Sequence, residues 1–200
     1  MLIYGAGGHS KVVIDCLYSQ NIEIDGVFDD NPNHISFGNF NFLGEYQSHI
    51  LTEKKIILTI GNNQIRKELA QKITHQIGKS VHFQSCISPF ATTESGLMIF
   101  PFAVVQAYAH IGKHVILNTH SIVEHDCKVE NFVHIAPNTT LGGGVEIGEG
   151  TLIGMSATIL PKVKIGKWCV IGAGAVVNKN VPDFCVAYGV PAKIKKNVII

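Results

Sequence analysis

The hydrophobic pattern of this chain has a six-residue period over its C-terminal half. An Ile, Leu or Val stands at every sixth position for fourteen consecutive positions. Neither an α-helix nor a flat strand has such a repeat. A coil of short parallel strands, with three six-residue rungs in each turn, has it. The fourteen positions are Ile99, Val105, Ile111, Leu117, Val123, Val129, Ile135, Leu141, Ile147, Ile153, Ile159, Ile165, Ile171 and Val177.

A second inward position in each rung holds a small or β-branched residue. One large and one slim side chain per rung suits a narrow prism with a solid core. The six-residue spacing of the large positions extends back to Val81 and Ile87, with Thr93 as an imperfect member of the series. It breaks after Pro182. We therefore predict about seventeen rungs, between five and six turns. The slim positions are Ala103, Ala109, Val115, Ser121, Cys127, Val133, Thr139, Val145, Thr151, Ala157, Val163, Cys169, Ala175 and Val181.

The first 80 residues follow a different pattern, in which short apolar strands alternate with amphipathic helices. Such an order predicts a parallel α/β sheet. Asn63 is the expected cap of the second helix. The expected elements are a strand from Leu2, a helix over Ser10–Ser19, a strand over Ile24–Phe28, a strand over Lys55–Ile60, a helix over Gln64–Thr74 and a strand over Ser80–Phe83.

Composition narrows the function classes. The formal net charge of +1 leaves no electrostatic basis for binding nucleic acid, and only 16% of the residues are charged, which favours self-association of the rod. Five cysteines without a CxxC pair predict free thiols in a reducing compartment. The N-terminus lacks the pattern of a signal peptide, and no apolar run reaches the length of a membrane span. We expect a cytoplasmic protein with no membrane partner.

Glycine and acidic residues mark a candidate phosphate site in the first part of the chain. The segment Gly5–Ser10 (GAGGHS) lies between a strand and a helix, where a bare backbone and a helix N-terminus favour phosphate. Asp29 and Asp30 follow the next strand, where a carboxylate can meet ribose hydroxyls, and Gly61 follows the third strand on the same rim. The alternative is an ordinary tight turn with a solvated acidic loop.

A histidine in the coil is the candidate general base. His125 follows an inward valine by two places and should point outward, between Glu124 and Asp126, either of which could fix its tautomer. His134 should also point outward, but it lies nine residues away, half a turn, so the two histidines should not share a face of one chain. They could converge only between chains or around a ligand. The alternative is a solvated surface histidine.

Zinc is a further possibility for these histidines, because His120 and His125 have a spacing known from zinc-binding hexapeptide coils such as the gamma carbonic anhydrases. A third ligand in phase would fall at Phe102 or Gln84, and neither is a ligand of that type. We therefore expect no metal.

Small residues recur at the later corners of the coil, in Leu141–Gly144, Ile153–Ser156 and Ile171–Gly174. Bare backbone on a flat face suits an extended ligand such as a pantetheine arm. Relief of strain at the corners is the alternative explanation.

Four segments carry a family resemblance that covers almost the whole chain. GAGGHSKVV, IGNNQIRK (Ile60–Lys67), VILNTHSIVEHDC (Val115–Cys127) and GVPAK (Gly189–Lys193) resemble the bacterial sugar acyltransferases of the left-handed β-helix superfamily. The most similar subgroup comprises nucleotide-sugar N-acetyltransferases of the bacillosamine type and sialic acid O-acetyltransferases. The resemblance implies an α/β Rossmann-like, nucleotide-sugar-binding domain over residues 1–80. It implies a left-handed parallel β-helix with acetyl-CoA alongside and a C-terminal tail over residues 81–200.

The same resemblance implies a homotrimer with active sites between neighbouring chains, and it assigns roles. His125 corresponds to the catalytic base, supported by Asp126 where the family often has Glu. The residues that would contact acetyl-CoA are His134, Gly143, Met155 and Ala173. Those that would bind the nucleotide-sugar are Gly7, Gly8, His9, Asp29, Asp30 and Gly61.

The hypothesis is an acetyl transfer from acetyl-CoA to the 4-amino group of a UDP-4-amino-4,6-dideoxy sugar by direct attack. The first alternative is O-acetylation of sialic acid or another sugar. The second is a trimeric scaffold or binding protein without activity.

Overall fold

The computed structural model of the protein describes residues 1–31 and 39–198. Its N-terminal part is a four-stranded parallel sheet of order β3-β2-β1-β4, in which the two inner strands and the edge strand β4 are buried. Short apolar strands covered on both faces are typical of parallel sheets. The elements are β1 (Leu2–Tyr4), α1 (Gly8–Tyr18), β2 (Gly26–Phe28), β3 (Phe42–Gly44), β4 (Ile56–Leu58) and α2 (Asn63–Lys72).

Two details of this part differ from the sequence prediction. Asn62, not Asn63, caps α2: its side chain accepts a hydrogen bond of 3.0 Å from the Ile65 N–H. Asn63 instead donates to the Gly150 carbonyl at 3.0 Å, a tertiary contact that the local pattern does not reveal. Strand β3 was not expected, because it is a half-buried edge strand without a marked hydrophobic pattern.

The C-terminal part is a parallel β-helix, as predicted. Each strand pairs in parallel with the strand eighteen residues on, as Ile116 does with His134. Seventeen two-residue strands therefore stack into three sheets. They are β5 (Ser80–Val81), β6 (Cys86–Ile87), β7 (Thr92–Thr93), β8 (Met98–Ile99), β9 (Val104–Val105), β10 (His110–Ile111), β11 (Ile116–Leu117), β12 (Ile122–Val123), β13 (Lys128–Val129), β14 (His134–Ile135), β15 (Thr140–Leu141), β16 (Glu146–Ile147), β17 (Leu152–Ile153), β18 (Thr158–Ile159), β19 (Lys164–Ile165), β20 (Val170–Ile171) and β21 (Val176–Val177).

The core of the β-helix confirms the two inward positions in every rung. All fourteen aliphatic residues of the large position are at most 2% exposed, and all fourteen slim residues are at most 6% exposed. Val81 and Ile87 pack against the same core and confirm the early phase.

Corner residues of the β-helix stack on one another. His114 and Phe132, one turn apart, have ring centroids separated by 5.1 Å and planes within 3°. Both residues have a positive φ, 55° and 59°, because each corner turns sharply. At one corner a glycine makes room for a ring one turn further along. A Cβ at Gly150 would lie 2.4 Å from the Trp168 ring.

The coil extends beyond the predicted break at Pro182. Strand β22 (Cys185–Gly189) pairs in parallel with β20, and β23 (Ala192–Asn197) folds back antiparallel on it. Val186 pairs with Val170, sixteen rather than eighteen residues earlier, so the six-residue phase is lost although the sheet continues. Cys185 and Ala187 fill the end of the core.

The three faces of the prism differ in what covers them. The eight-stranded sheet (β5-β8-β11-β14-β17-β20-β22-β23) packs against the N-terminal part, with Met98, Phe100 and Ile116 in one cluster with α1. The five-stranded sheet (β7-β10-β13-β16-β19) carries charged side chains outward, including a Lys164–Glu146 ion pair of 2.7 Å. The six-stranded sheet (β6-β9-β12-β15-β18-β21) has no charged residue at the first, outward position of its strands, which are Cys86, Val104, Ile122, Thr140, Thr158 and Val176.

Within residues 1–31 and 39–198, neither helix is long or apolar enough to cross a bilayer.

Candidate active site

His125 and Asp126 form a pair in the turn between β12 and β13. The His125 Nδ1 lies 2.8 Å from the Asp126 Oδ2, so the carboxylate accepts the Nδ1 proton and leaves Nε2 as the basic nitrogen. Asp126 occupies the corner position with φ of 60°, which directs its side chain back to the neighbouring ring. The side chains are 62% and 63% exposed, so on one chain the pair faces open space.

Gly143 lies one turn further along, directly beneath the His125 imidazole. A Cβ at Gly143 would lie 2.6 Å from Nε2 and 2.7 Å from Cε1 of His125, so the close approach requires glycine. The Gly143 N–H has no acceptor in the part of the chain that the structure describes, whereas the next N–H, of Gly144, donates to the His125 carbonyl at 2.9 Å. The basic nitrogen of His125 and the residue that carries this backbone donor are therefore in close contact on successive turns.

The glycine segment after β1 presents bare backbone. Gly5 has a φ of 112°, and a Cβ there would strike Thr59 and Ile60. Gly7 and Gly8 have no neighbouring atom within 4 Å of an added Cβ, and no side chain caps α1. The start of α1 is thus an open helix N-terminus, where backbone N–H groups favour an anion.

The two acidic residues after β2 form hydrogen bonds at the same end of the N-terminal sheet as the glycine segment. The Asp29 carboxylate accepts hydrogen bonds from the Ala6 N–H at 2.5 Å and the Asn31 N–H at 2.7 Å. Asp30 accepts one from the Tyr4 hydroxyl at 2.6 Å, and burial together with Asp30 raises the pKa of Tyr4. Both carboxylates therefore shape the rim of the site through contacts with their own chain.

His9 and His134 lie together at this edge, beside Gly61. Their ring centroids are 6.1 Å apart. A Cβ added at Gly61 would lie 3.7 Å from the His9 Cγ. Burial and the charge of Arg66 lower the pKa of His9 to about 4. Burial, Arg66 and His9 lower the pKa of His134 to about 3, against a hydrogen bond to the Gly61 backbone. Both imidazoles are neutral at neutral pH.

The structure divides the predicted site residues among three places on one chain. His125, Asp126 and Gly143 lie at the corner between the six- and five-stranded sheets. Met155 and Ala173 lie one turn apart at the corner between the eight- and six-stranded sheets, with Met155 57% exposed. His134 lies with the predicted nucleotide-sugar residues Gly7, Gly8, His9, Asp29, Asp30 and Gly61. As the half-turn spacing indicated, one chain does not unite His125 with His134.

Sequence analysis missed Arg66, which is fully buried and is the only arginine of the 200-residue chain. Burial lowers its pKa to about 9. The composition contained a signal for it, because the chain has fifteen lysines and a single arginine, which lies in α2. Arginine and lysine differ in their hydrogen-bonding geometry, so a lone arginine indicates a position that needs a guanidinium.

For a metal, the described residues offer no cluster of three His, Cys, Asp or Glu side chains. His120, weighed as a zinc ligand with His125, has its ring 5.0 Å from that of Phe102. Within the described residues, the five cysteines are free thiols.

Comparison with known proteins supplies the family. Residues 1–73 match the PglD N-terminal domain, and residues 144–179 match the bacterial transferase hexapeptide repeat. PerB from Caulobacter crescentus, solved in complex with CoA and GDP-perosamine, is 31% identical with a TM-score of 0.92, over 98% of this chain and 96% of that chain. The chain belongs to the PglD-type hexapeptide-repeat nucleotide-sugar N-acetyltransferases.

A second member of this family is similar over its full length. The acetyltransferase domain of PglB from Neisseria gonorrhoeae, in complex with acetyl coenzyme A, is 30% identical with a TM-score of 0.88, over 97% of this chain and 98% of that chain.

Serine acetyltransferase of Haemophilus influenzae is 37% identical over 140 residues, which are 66% of this chain. The chain spans about half the length of this curated relative, 46%.

Proposed function

We propose that the protein transfers an acetyl group from acetyl-CoA to the amino group of a nucleotide-linked sugar. The observation that carries this proposal is the His125–Asp126 pair seated on Gly143, which brings a base into close contact with the residue that carries a backbone donor. Similarity to PerB and to the PglB acetyltransferase domain, solved with CoA or acetyl coenzyme A, supports the choice of donor.

In the proposed mechanism, the amine attacks the thioester carbonyl directly and forms the C–N bond. The C–S bond then breaks, and CoA leaves as a thiolate that takes up the proton which His125 removed from the amine. The His125 Nε2 removes the amine proton, and Asp126 holds the imidazole in the required tautomer and offsets the charge that develops on it. The Gly143 N–H stabilises the oxyanion, a contribution of about 3 kcal/mol for one donor. Cys127, two residues from His125, is no nucleophile, because it points into the core and burial raises the pKa of its thiol to about 11.

The acceptor we propose is a UDP-4-amino-4,6-dideoxy sugar held at the edge of the N-terminal sheet. Its diphosphate would lie against the open N-terminus of α1 at Gly7 and Gly8, and its sugar beside His9 and Gly61. A GDP-linked amino sugar, the ligand of PerB, is the main competitor for this site.

A complete site requires two chains in this proposal. His125 of one copy would meet the His134 edge of the next across the six-stranded sheet, in a homotrimer with acetyl-CoA along Met155 and Ala173. The uncharged outward column of that sheet, unlike the ion-paired five-stranded sheet, suits burial against another copy. The exposure of the His125–Asp126 pair on one chain fits the same arrangement.

A substrate panel tests the proposal. UDP-, GDP- and CMP-linked 4-amino sugars are incubated with acetyl-CoA, and the release of free CoA thiol and the acetylated product are measured, with hydroxyl-only sugars as the matched control. Turnover of an amino sugar, lost in His125→Ala, supports the proposal. Turnover of the hydroxyl sugars alone would contradict the proposal and show an O-acetyltransferase. If neither turnover nor acetyl-CoA binding were detected, the protein would be a scaffold without activity.

A further inference from the structure

Arg66 connects the start of α2 to the β-helix through every nitrogen of its guanidinium. It is fully buried, and a carbonyl or amide oxygen accepts each of its hydrogen bonds. Nε donates to the His114 carbonyl at 3.0 Å, Nη1 to the carbonyls of Ile60 at 2.9 Å and Gly61 at 3.3 Å, and Nη2 to Asn63 Oδ1 at 2.9 Å and the Phe132 carbonyl at 2.9 Å.

These acceptors belong to two separate pieces of structure. Ile60 and Gly61 belong to the loop that joins β4 to α2 and Asn63 begins α2. His114 and Phe132 are stacked corner residues of successive β-helix turns. A planar fork with five N–H donors can fix both pieces in one geometry, which a lysine cannot do. The side chain therefore sets the position of the Gly61 loop relative to the β-helix.

The guanidinium has no carboxylate partner among the residues that the structure describes, although a buried charge is normally paired. The ionisable groups that face it are imidazoles: burial first, and the Arg66 charge second, lower the pKa values of His9, His114 and His134. A buried charge without a carboxylate partner has to be compensated by hydrogen bonds, and all three nitrogens of this guanidinium donate to oxygens of its own chain.

The Gly61 loop is the contact between Arg66 and the proposed sugar site. Gly61 packs against His9, in the first turn of α1, and Gly61 and His134 line the same cleft. Asn118 fixes the other side of the His134 ring, with its Nδ2 3.2 Å from Nε2. A displacement of Gly61 would therefore move both imidazoles at the edge of the site, but neither His125 nor Gly143.

We propose that Arg66 is a positioning residue for the nucleotide-sugar, acting through the Gly61 loop and not through contact with the ligand. This inference rests on the proposed function. All of its nitrogens are engaged within the chain, so Arg66 determines where the loop presents its backbone to the sugar.

Steady-state kinetics of Arg66→Lys and Arg66→Met test the inference. We expect KM for the nucleotide-sugar to rise about 10-fold or more, with KM for acetyl-CoA unchanged. Lys79→Met is the matched control, because it removes an exposed cation that donates to the Thr93 carbonyl at 2.9 Å, remote from the Gly61 loop. A merely structural role would lower the melting temperature and the active fraction and leave both KM values unchanged; that result would overturn the inference.

Asn63→Ala keeps the inference testable if the Arg66 variants do not fold. It removes one acceptor of Nη2 and leaves the guanidinium in place. We expect the same selective rise in KM for the nucleotide-sugar, by about 3-fold. Equal KM values in a folded Asn63→Ala protein would contradict the inference. Wild-type turnover, measured in parallel, separates this outcome from failure of the proposed function itself.

Discussion

Gly143→Ala is the sharpest single perturbation of the candidate active site. The new Cβ would lie 2.6 Å from the His125 Nε2, whereas ordinary contact needs about 3.4 Å, so the imidazole must move by about 0.8 Å. The ring is exposed and can rotate, but rotation breaks its 2.8 Å hydrogen bond with Asp126. The substitution therefore displaces the base without removing it.

The expected magnitudes separate catalysis from stability. A strained side-chain rotamer costs about 0.5–1.5 kcal/mol, and the change from glycine to alanine recovers about 0.4–1 kcal/mol through the unfolded chain. We expect the free energy of unfolding to change by less than about 1 kcal/mol. Since general-base catalysis contributes about 10²–10⁴-fold, we expect kcat to fall by about 10²-fold or more.

Gly144→Ala is the matched control for this prediction. Gly144 has a φ of 68°, and an added Cβ would meet only the Lys162 side chain, at 3.6 Å. Alanine in the left-handed region costs about 1–2 kcal/mol, so this variant should melt earlier and keep its kcat. The assay is CoA thiol release at saturating substrates, together with thermal unfolding. Wild-type kcat in folded Gly143→Ala would refute the placement of the base over Gly143.

Three further predictions address the base, the core and the buried histidines. Asp126→Asn should lower kcat by about 10-fold or more. The melting temperature should stay unchanged, because Asn tolerates the positive φ of this corner. An unchanged kcat would show that Asp126 has no part in the mechanism. Ile135→Ala should cost about 2–5 kcal/mol in urea unfolding, whereas Ile65→Ala, on an exposed helix face, should cost less than about 0.5 kcal/mol; equal losses would contradict the assigned core. Acid should destabilise the fold, because His9 and His134, with pKa values of about 4 and about 3 when folded, take up protons on unfolding. The free energy of unfolding should be level between pH ~7 and ~8. It should fall by about 1.4 kcal/mol per pH unit for each histidine as the pH drops from ~6 to ~4, and a level profile across that range would contradict their burial.

The fold of the C-terminal part was predictable from the sequence because its period is set by packing alone. Each inward side chain contacts only its neighbours in the same and adjacent turns, so the core constraint repeats along the chain at a fixed interval. The period does break after Pro182 as predicted, but the pattern did not reveal that the sheet continues beyond the break. Strand β22 pairs at an offset of sixteen residues, and a periodic pattern cannot signal a strand that leaves the period.

The candidate site was predictable in its members but only partly in its arrangement. Local chemistry in the sequence proposes the glycine segment, Asp29 and His125, whose roles stay predictions, and the separation of His125 from His134 followed from the period. Arg66 and Asn63 were not found, because their roles depend on carbonyls of the β-helix more than forty residues away. Contacts of this kind leave no periodic or local signal in the sequence.

Mixed oligomers test the central claim, that two chains build each site, most directly. His125→Ala removes the base, and Gly8→Trp places a bulky side chain at the start of α1, where an added Cβ has no atom within 4 Å. Each variant alone should be inactive. Co-expressed in equal amounts, they should recover about 25% of wild-type activity, because one interface of each mixed trimer then combines two intact halves. No recovery in verified mixed oligomers would contradict a site shared between chains.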